Sequence, residues 1–112
     1  MKIEGMRVWN EARQMVRDIV ALSPELVGLG LADQIRRAAI SVVSNMAEGA
    51  GRVSDREIVR FLVIARASNA EVQAQLAIAS DCRIAIDPAL IDRADHVRRM
   101  LSALINRLVG SG

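Results

Sequence analysis

The sequence contains no tyrosine, one tryptophan, one phenylalanine, two prolines, one cysteine and one histidine in 112 residues. Each shortage excludes something. Sheets draw on aromatic and β-branched residues in period-two alternation, and this chain offers two aromatics, Trp9 and Phe61, and little alternation. A single cysteine, Cys82, leaves no internal disulfide framework. With no Cys/His spacing around it, it reads as a small buried hydrophobe in a reducing compartment. No apolar run approaches the ~20 residues of a membrane span. One lysine and one acidic residue before Met6 do not make a signal peptide. At 52% hydrophobic, about 58 residues, the chain is too apolar for a disordered tail. The expectation is a soluble, cytoplasmic, all-helical domain, a single unit over residues 1–112.

Basic residues number fifteen against thirteen acidic, and all but Lys2 of the fifteen are arginine. A net charge of +2 does not by itself argue for nucleic acid, but its distribution is uneven. Residues 34–70 carry six basic and three acidic groups (+3), residues 71–92 one and four (−3), and residues 93–112 four and one (+3). Two basic stretches therefore flank an acidic one. They can attract phosphate, or pair with acidic residues on neighbouring helices or subunits.

Apolar periodicity predicts four helices. In the first, from about Met6 to Leu22, Val8, Trp9, Ala12, Met15, Val16, Ile19 and Val20 form one stripe. Ser23-Pro24 stops it, and a loop with Gly28 and Gly30 follows. The second runs from about Leu31 to Ala50 and closes on Gly49-Ala50-Gly51, glycines suited to a left-handed cap. The third opens at the S-x-x-E capping box Ser54–Glu57 and carries the seam Ile58, Leu62, Ala65, Asn69, Val72, Leu76, Ala79. Asp87-Pro88 opens the fourth, with the seam Leu90, Ala94, Val97, Leu101, Leu104, Leu108, and Gly110 ends it. Short connections make an antiparallel, up-down-up-down four-helix bundle the expected architecture.

The apolar content exceeds what one bundle needs. Some 85 helical residues require roughly 36 core positions at three in seven. Seventeen alanines absorb part of the surplus. The rest is arranged: Val63, Ala67, Ala70, Ala74 and Ala77 form a second stripe on helix 3, and Ile40, Val43 and Ala47 a second side on helix 2. Exposed in a monomer, these would be apolar patches, so a homo-oligomer is expected.

Gln34, Arg37, Ser41, Ser44, Asn45 and Glu48 recur every three to four residues on helix 2, and helix 3 offers Ser68, Asn69 and Glu71. Unpaired and buried, such groups cost ~1–3 kcal/mol each, so they are expected to pair with one another or to specify register. The run Gln34-Ile35-Arg36-Arg37-Ala38-Ala39-Ile40-Ser41, continuing through Ser44-Asn45-Met46-Ala47-Glu48-Gly49, resembles the signature of the four-helix-bundle protein family encoded in 23S rRNA intervening sequences. Val8-Trp9, Gly51-Arg52, Arg60-Phe61-Leu62, Ala65, Ser68 and Glu71 extend the resemblance over nearly the whole chain. It departs at Val43, where members often have proline, and at Met46, where isoleucine is usual; helix 4 matches only in character. The resemblance implies a compact bundle assembling as a ring-like homopentamer. It also implies distant kinship with the accessory proteins of diversity-generating retroelements, basic pentameric bundles that bind nucleic acid and a reverse transcriptase. It implies no catalytic activity.

Reactive constellations are sparse. His96 sits opposite the helix 4 seam and is expected to be solvated; with Asp92 it supplies two metal ligands without an evident third. Gly28-Leu29-Gly30 follows no strand, and there is no Gly-Lys-Ser/Thr. Glu48 and Glu71 form a carboxylate pair only if helices 2 and 3 bring them together; ion pairs to Arg37 or an adjacent arginine are the plainer reading. No cofactor or metal is expected. Arg36, Arg52, Arg56 and Arg60 are the candidate nucleic-acid contacts, expected to cluster near the helix 2/helix 3 corner. The reading that follows is a non-enzymatic oligomeric scaffold or adaptor contacting RNA or DNA. A purely protein-binding assembly with a genomically linked partner is the first alternative, and a small hydrolase using Glu48, Glu71 or His96 the second.

Overall fold

Four amphipathic helices that each need one covered stripe solve their problem by enclosing a common core. The computed structural model describes residues 1–110; Ser111 and Gly112, part of the single domain expected over 1–112, lie outside the described residues. The elements are α1 (Arg7–Leu22), a 3-10 segment (Ser23–Leu29), α2 (Ala32–Ala50), α3 (Asp55–Asp81) and α4 (Pro88–Gly110). The bundle measures 45 × 20 × 20 Å. Packed pairs are α1 with α2, α2 with α3, α3 with α4, and α4 back to α1, so α1 and α3 occupy diagonal corners.

Paired contacts show the sense of each neighbour. Ser41 meets Ser68 while Gly49 meets Ile58 and Phe61, so α2 and α3 run oppositely. Arg66 reaches Ser102 and Asn69 reaches the Ala94 carbonyl, so α3 and α4 do too. Met1 touches Ala50 and Ser23 touches Arg36, which gives the same relation along α1 and α2. Among the described residues, no helix is long and apolar enough to cross a membrane.

The seam of α3 is buried at every expected position, Ile58 through Ala79. So is that of α4 from Leu90 to Leu104, joined by Ile105, while Leu108 is half-buried. From α1 the core takes Val8, Ala12, Met15 and Ile19, and from α2 Ile35, Ala38, Ala39, Val42 and Met46. Ile3 is also buried, because the N-terminal turn folds back: the Met6 amide donates to the Ile3 carbonyl at 2.9 Å. Helix starts follow the local chemistry. The Glu57 amide donates to Ser54 Oγ at 3.2 Å, and the Ala89 amide to Asp87 Oδ1 at 2.9 Å beside Pro88.

Three local expectations are corrected. The segment after Pro24 is a 3-10 turn rather than an open loop; proline at its start has the φ such a turn requires, and Leu26 anchors it in the core. The left-handed cap falls at Gly30 (φ 70°), which ends that turn, whereas Gly51 closes α2 with φ −82°. Cys82 is exposed, not buried: it caps α3, and the chain turns away at Arg83 (φ 67°) before another turn of helix could continue the seam.

Gly49 serves close approach instead of a cap. A Cβ there would lie 2.9 Å from the Cβ of Phe61 and 3.2 Å from the Ile58 carbonyl oxygen. Neither neighbour is the free end of a flexible chain, so alanine at this point forces α2 and α3 apart. Overpacking costs about 1–3 kcal/mol, against about 1 kcal/mol gained from alanine's helix propensity. Gly49→Ala is therefore expected to lower stability by up to about 2 kcal/mol in denaturant titration. Gly28→Ala, which meets nothing within 4 Å, is expected to change little.

Candidate polar interface and basic corner

The polar stripe of α2 divides into parts with different partners. At its centre Ser41 Oγ lies 2.8 Å from Ser68 Oγ on α3. Asn45 Nδ2 donates to the Ser41 carbonyl at 2.8 Å and to Ser41 Oγ at 3.0 Å. All three residues are half-buried, so this is a compact hydrogen-bonded node on the α2–α3 seam. It pairs as expected. Gln34, exposed one end of the stripe away, donates to the Gly30 carbonyl at 3.4 Å. Ser44 is exposed on the α1 side and takes no part in the node.

Asn69 faces the other neighbour. Fully buried, it donates from Nδ2 to the Ala94 carbonyl of α4 at 2.9 Å, while its Oδ1 has no hydrogen-bond partner. Gln75, buried one and a half turns on, likewise has an unpartnered Oε1. The heptad spacing pointed to Asn69 as a buried polar group. Gln75 lies off that seam, and spacing along α3 alone did not single it out as buried.

Glu48 and Glu71 do not form a pair. From the Ser41–Ser68 register point, Glu48 is seven residues along α2, and Glu71 is three residues along α3 in the opposite direction. Ten residues of rise separate them, about 15 Å. Glu48 instead pairs with Arg52 at 2.8 Å. Glu71 and Arg37 share a shallow α2–α3 groove with Gln34, Ser41 and Ser68, without an ion pair between them. His96 is half-buried and Asp92 is exposed. Among the described residues, no three of the His, Cys, Asp and Glu side chains converge on one point.

The expected arginine cluster forms without Arg36. Arg52 lies at the α2–α3 corner with its guanidinium 4.7 Å from the centre of the Phe61 ring, and Arg56 and Arg60 follow one turn apart on α3. Both are exposed and neither has a carboxylate within 4 Å among the described residues. Arg36 sits near the opposite end of α2, about 20 Å away, where it pairs with Asp33 and donates to the buried Ser23 Oγ. The run of residue types was legible, but Arg36 lies near the start of α2 and the other three lie beyond its far end, so most of the length of α2 separates them.

Three arginines of α4 are committed to carboxylates. Arg93 bridges α4 to α1 through Glu11 at 3.1 Å and Asp18 at 3.6 Å, residues whose i, i+7 spacing already placed them on one face. Arg98 and Arg99 both hold Asp95, at 2.8 and 2.7 Å. The hydrogen bond from Arg98, together with the two positive charges, holds the Asp95 carboxyl below the usual carboxylate range despite partial desolvation.

Two measurements follow. A double-mutant cycle on Ser41→Ala and Ser68→Ala is expected to give a coupling of about 0.5–1.5 kcal/mol; additive losses would mean that each hydroxyl is satisfied separately. Carboxyl NMR titration is expected to place Asp95 below a free aspartate, and Arg98→Ala to raise it. Because the folded value is depressed, the associated stability is present above the unfolded value and is lost as pH falls through the folded one.

Comparison with curated protein sequences finds no match. A family model does match: that of the 23S rRNA-intervening sequence protein, over residues 4–103. The matched span takes in the N-terminal turn, α1, the 3-10 segment, the Ser41–Ser68–Asn45 node, the arginine corner and most of α4. The chain belongs to the 23S rRNA-intervening sequence protein family.

Proposed function

We propose that this protein is a non-enzymatic, oligomeric scaffold or adaptor of the cytoplasm that holds RNA or DNA through the α2–α3 corner. The observation that carries the reading is the pair Arg56 and Arg60, exposed, one turn apart and uncompensated, beside an Arg52 oriented by Phe61. Asp55 and Glu57 in the first turn of α3 reduce the local charge, so one copy of the corner is a weak phosphate site. Repetition around a homo-oligomer, which family resemblance makes a ring of five, multiplies it through effective concentration. Binding of this kind reads the phosphate backbone. With Phe61 half-buried beneath Arg52 and Trp9 on the α1 side, no aromatic at the corner is free to stack on bases.

The separation of Glu48 from Glu71 supports the non-enzymatic part of the reading. A purely protein-binding role is the second reading, favoured by Val53, which stands 97% exposed at the tip of the same corner. Fluorescence anisotropy with short RNA and DNA strands distinguishes them. Affinity is expected to fall steeply with salt and to vary little with sequence. Arg56→Glu with Arg60→Glu is expected to weaken it at least tenfold, and Arg36→Glu to leave it nearly unchanged. No binding by the wild-type chain at low salt would remove the nucleic-acid role and leave the protein-binding one.

A further inference from the structure

The outer edge of α1 and α2 carries a groove with an apolar floor and a polar rim that the chain itself leaves open. Val16 and Val43 form its half-buried floor, and Ile40 (49% exposed) stands at its side. With Asn10, Gln14 and Ser44 it encloses a depression of about 580 Å³. Its charged rim is unbalanced. Arg93 is occupied by Glu11 and Asp18, but Arg13 lies over the Trp9 ring and Arg17 bonds only to Gln14. Neither of these two arginines has a carboxylate within 4 Å among the described residues, so the groove sets a small apolar floor inside a positive edge.

The same chain carries a surface with the opposite properties. The C-terminal half of α3 exposes Ala70, Ala74, Ala77 and Ile78, with Glu71 and Asp81 beside them and no ion pair to either carboxylate among the described residues. It begins the stretch 71–92, four acidic groups to one basic. Small side chains let a neighbouring helix approach closely, since interaxial distance is set by the residues at the contact. The lengths also agree. Asn10 to Arg17 along the groove spans seven residue steps and Ala70 to Ile78 along the face eight, about 11 and 12 Å of helix.

We propose that the α1–α2 groove of one copy receives the acidic small-residue face of α3 from a second copy. The α3 face cannot fill its own groove, because α1 and α3 stand at diagonal corners of the bundle. The contact is heterologous: each copy offers one groove and one face, so every joined pair leaves one of each free. Such contacts propagate until they close into a ring, or form an open filament if the rotation does not close. Charge complementarity fixes which faces meet, and the alanines and exposed aliphatics supply the buried area. This inference rests on the oligomeric part of the proposed function and assigns its surfaces; it is independent of nucleic-acid binding at the arginine corner.

A charge swap tests it, with mass measured by sedimentation velocity and helix content by circular dichroism. Two variants, Arg13→Glu with Arg17→Glu and Glu71→Arg with Asp81→Arg, each bring like charges together at the contact. Each is expected to weaken assembly at least tenfold while remaining helical. The chain carrying all four substitutions restores opposite charges and is expected to recover the wild-type mass. If the wild type assembles and neither double variant weakens it, the contact lies elsewhere: the inference is overturned and the oligomeric reading stands. The inference is likewise overturned if the double variants dissociate and the fourfold variant fails to recover. A wild type that stays at 12.2 kDa at all concentrations overturns the oligomeric reading itself.

Discussion

The close approach of α2 to α3 at Gly49 is the contact on which the functional surface depends. With no side chain there, the backbone of α2 comes within van der Waals distance of the Ile58 carbonyl and the Phe61 Cβ. That proximity closes the corner between the two helices after only four residues of connection. It brings Arg52 over the Phe61 ring and places Arg56 and Arg60 on the first exposed turns of α3. A few turns along the same seam, the two helices are still near enough for Ser41 and Ser68 to share a hydrogen bond. Glycine and serine are small, and this smallness lets α2 and α3 approach closely along their seam.

Polar groups are treated differently at the two interfaces of α3. Toward α2, serine and asparagine satisfy one another at the half-buried edge, where water remains a competitor and each bond has a modest net value. Toward α4, Asn69 is fully buried and satisfies only its amide nitrogen, leaving Oδ1 without a partner. A single buried asparagine in an apolar seam favours the register in which its donor finds a carbonyl, at a cost in stability. Since α3 and α4 carry matching 4-3 seams that slide past one another without loss of apolar contact, such a pin has a use.

Charge is partitioned in a comparable way. Most arginines near a carboxylate are drawn into pairs: Arg93 ties α4 to α1, Arg98 and Arg99 share Asp95, and Arg36 is held by Asp33. Among the described arginines without an ion pair, Arg13 and Arg17 on α1 and Arg56 and Arg60 on α3 form two pairs on separate surfaces. A net charge of +2 therefore conceals two positive regions and an acidic one, a pattern suited to contacts between copies and with phosphate.

Helices, caps and seams were legible in the sequence because each depends on neighbours within a turn or two. The Ser54 cap, the Asp87-Pro88 start and the alternating 4-3 spacing of α3 and α4 encode geometry locally. The family, too, was legible, since the helix 2 motif is contiguous. What sequence spacing missed depends on distance across the fold. It overestimated the arginine cluster, because Arg36 near the start of α2 is separated from Arg52 beyond its end by most of the helix length. It misread Gly49 as a cap, because the atoms that demand glycine belong to α3. It buried Cys82 on residue type alone, whereas its place at the end of α3 leaves it exposed. Sequence alone determined which residues are apolar, where helices begin and which family they form. Only the tertiary structure decided which polar groups meet and which charges stay free, because those outcomes depend on register between helices, which no single helix contains.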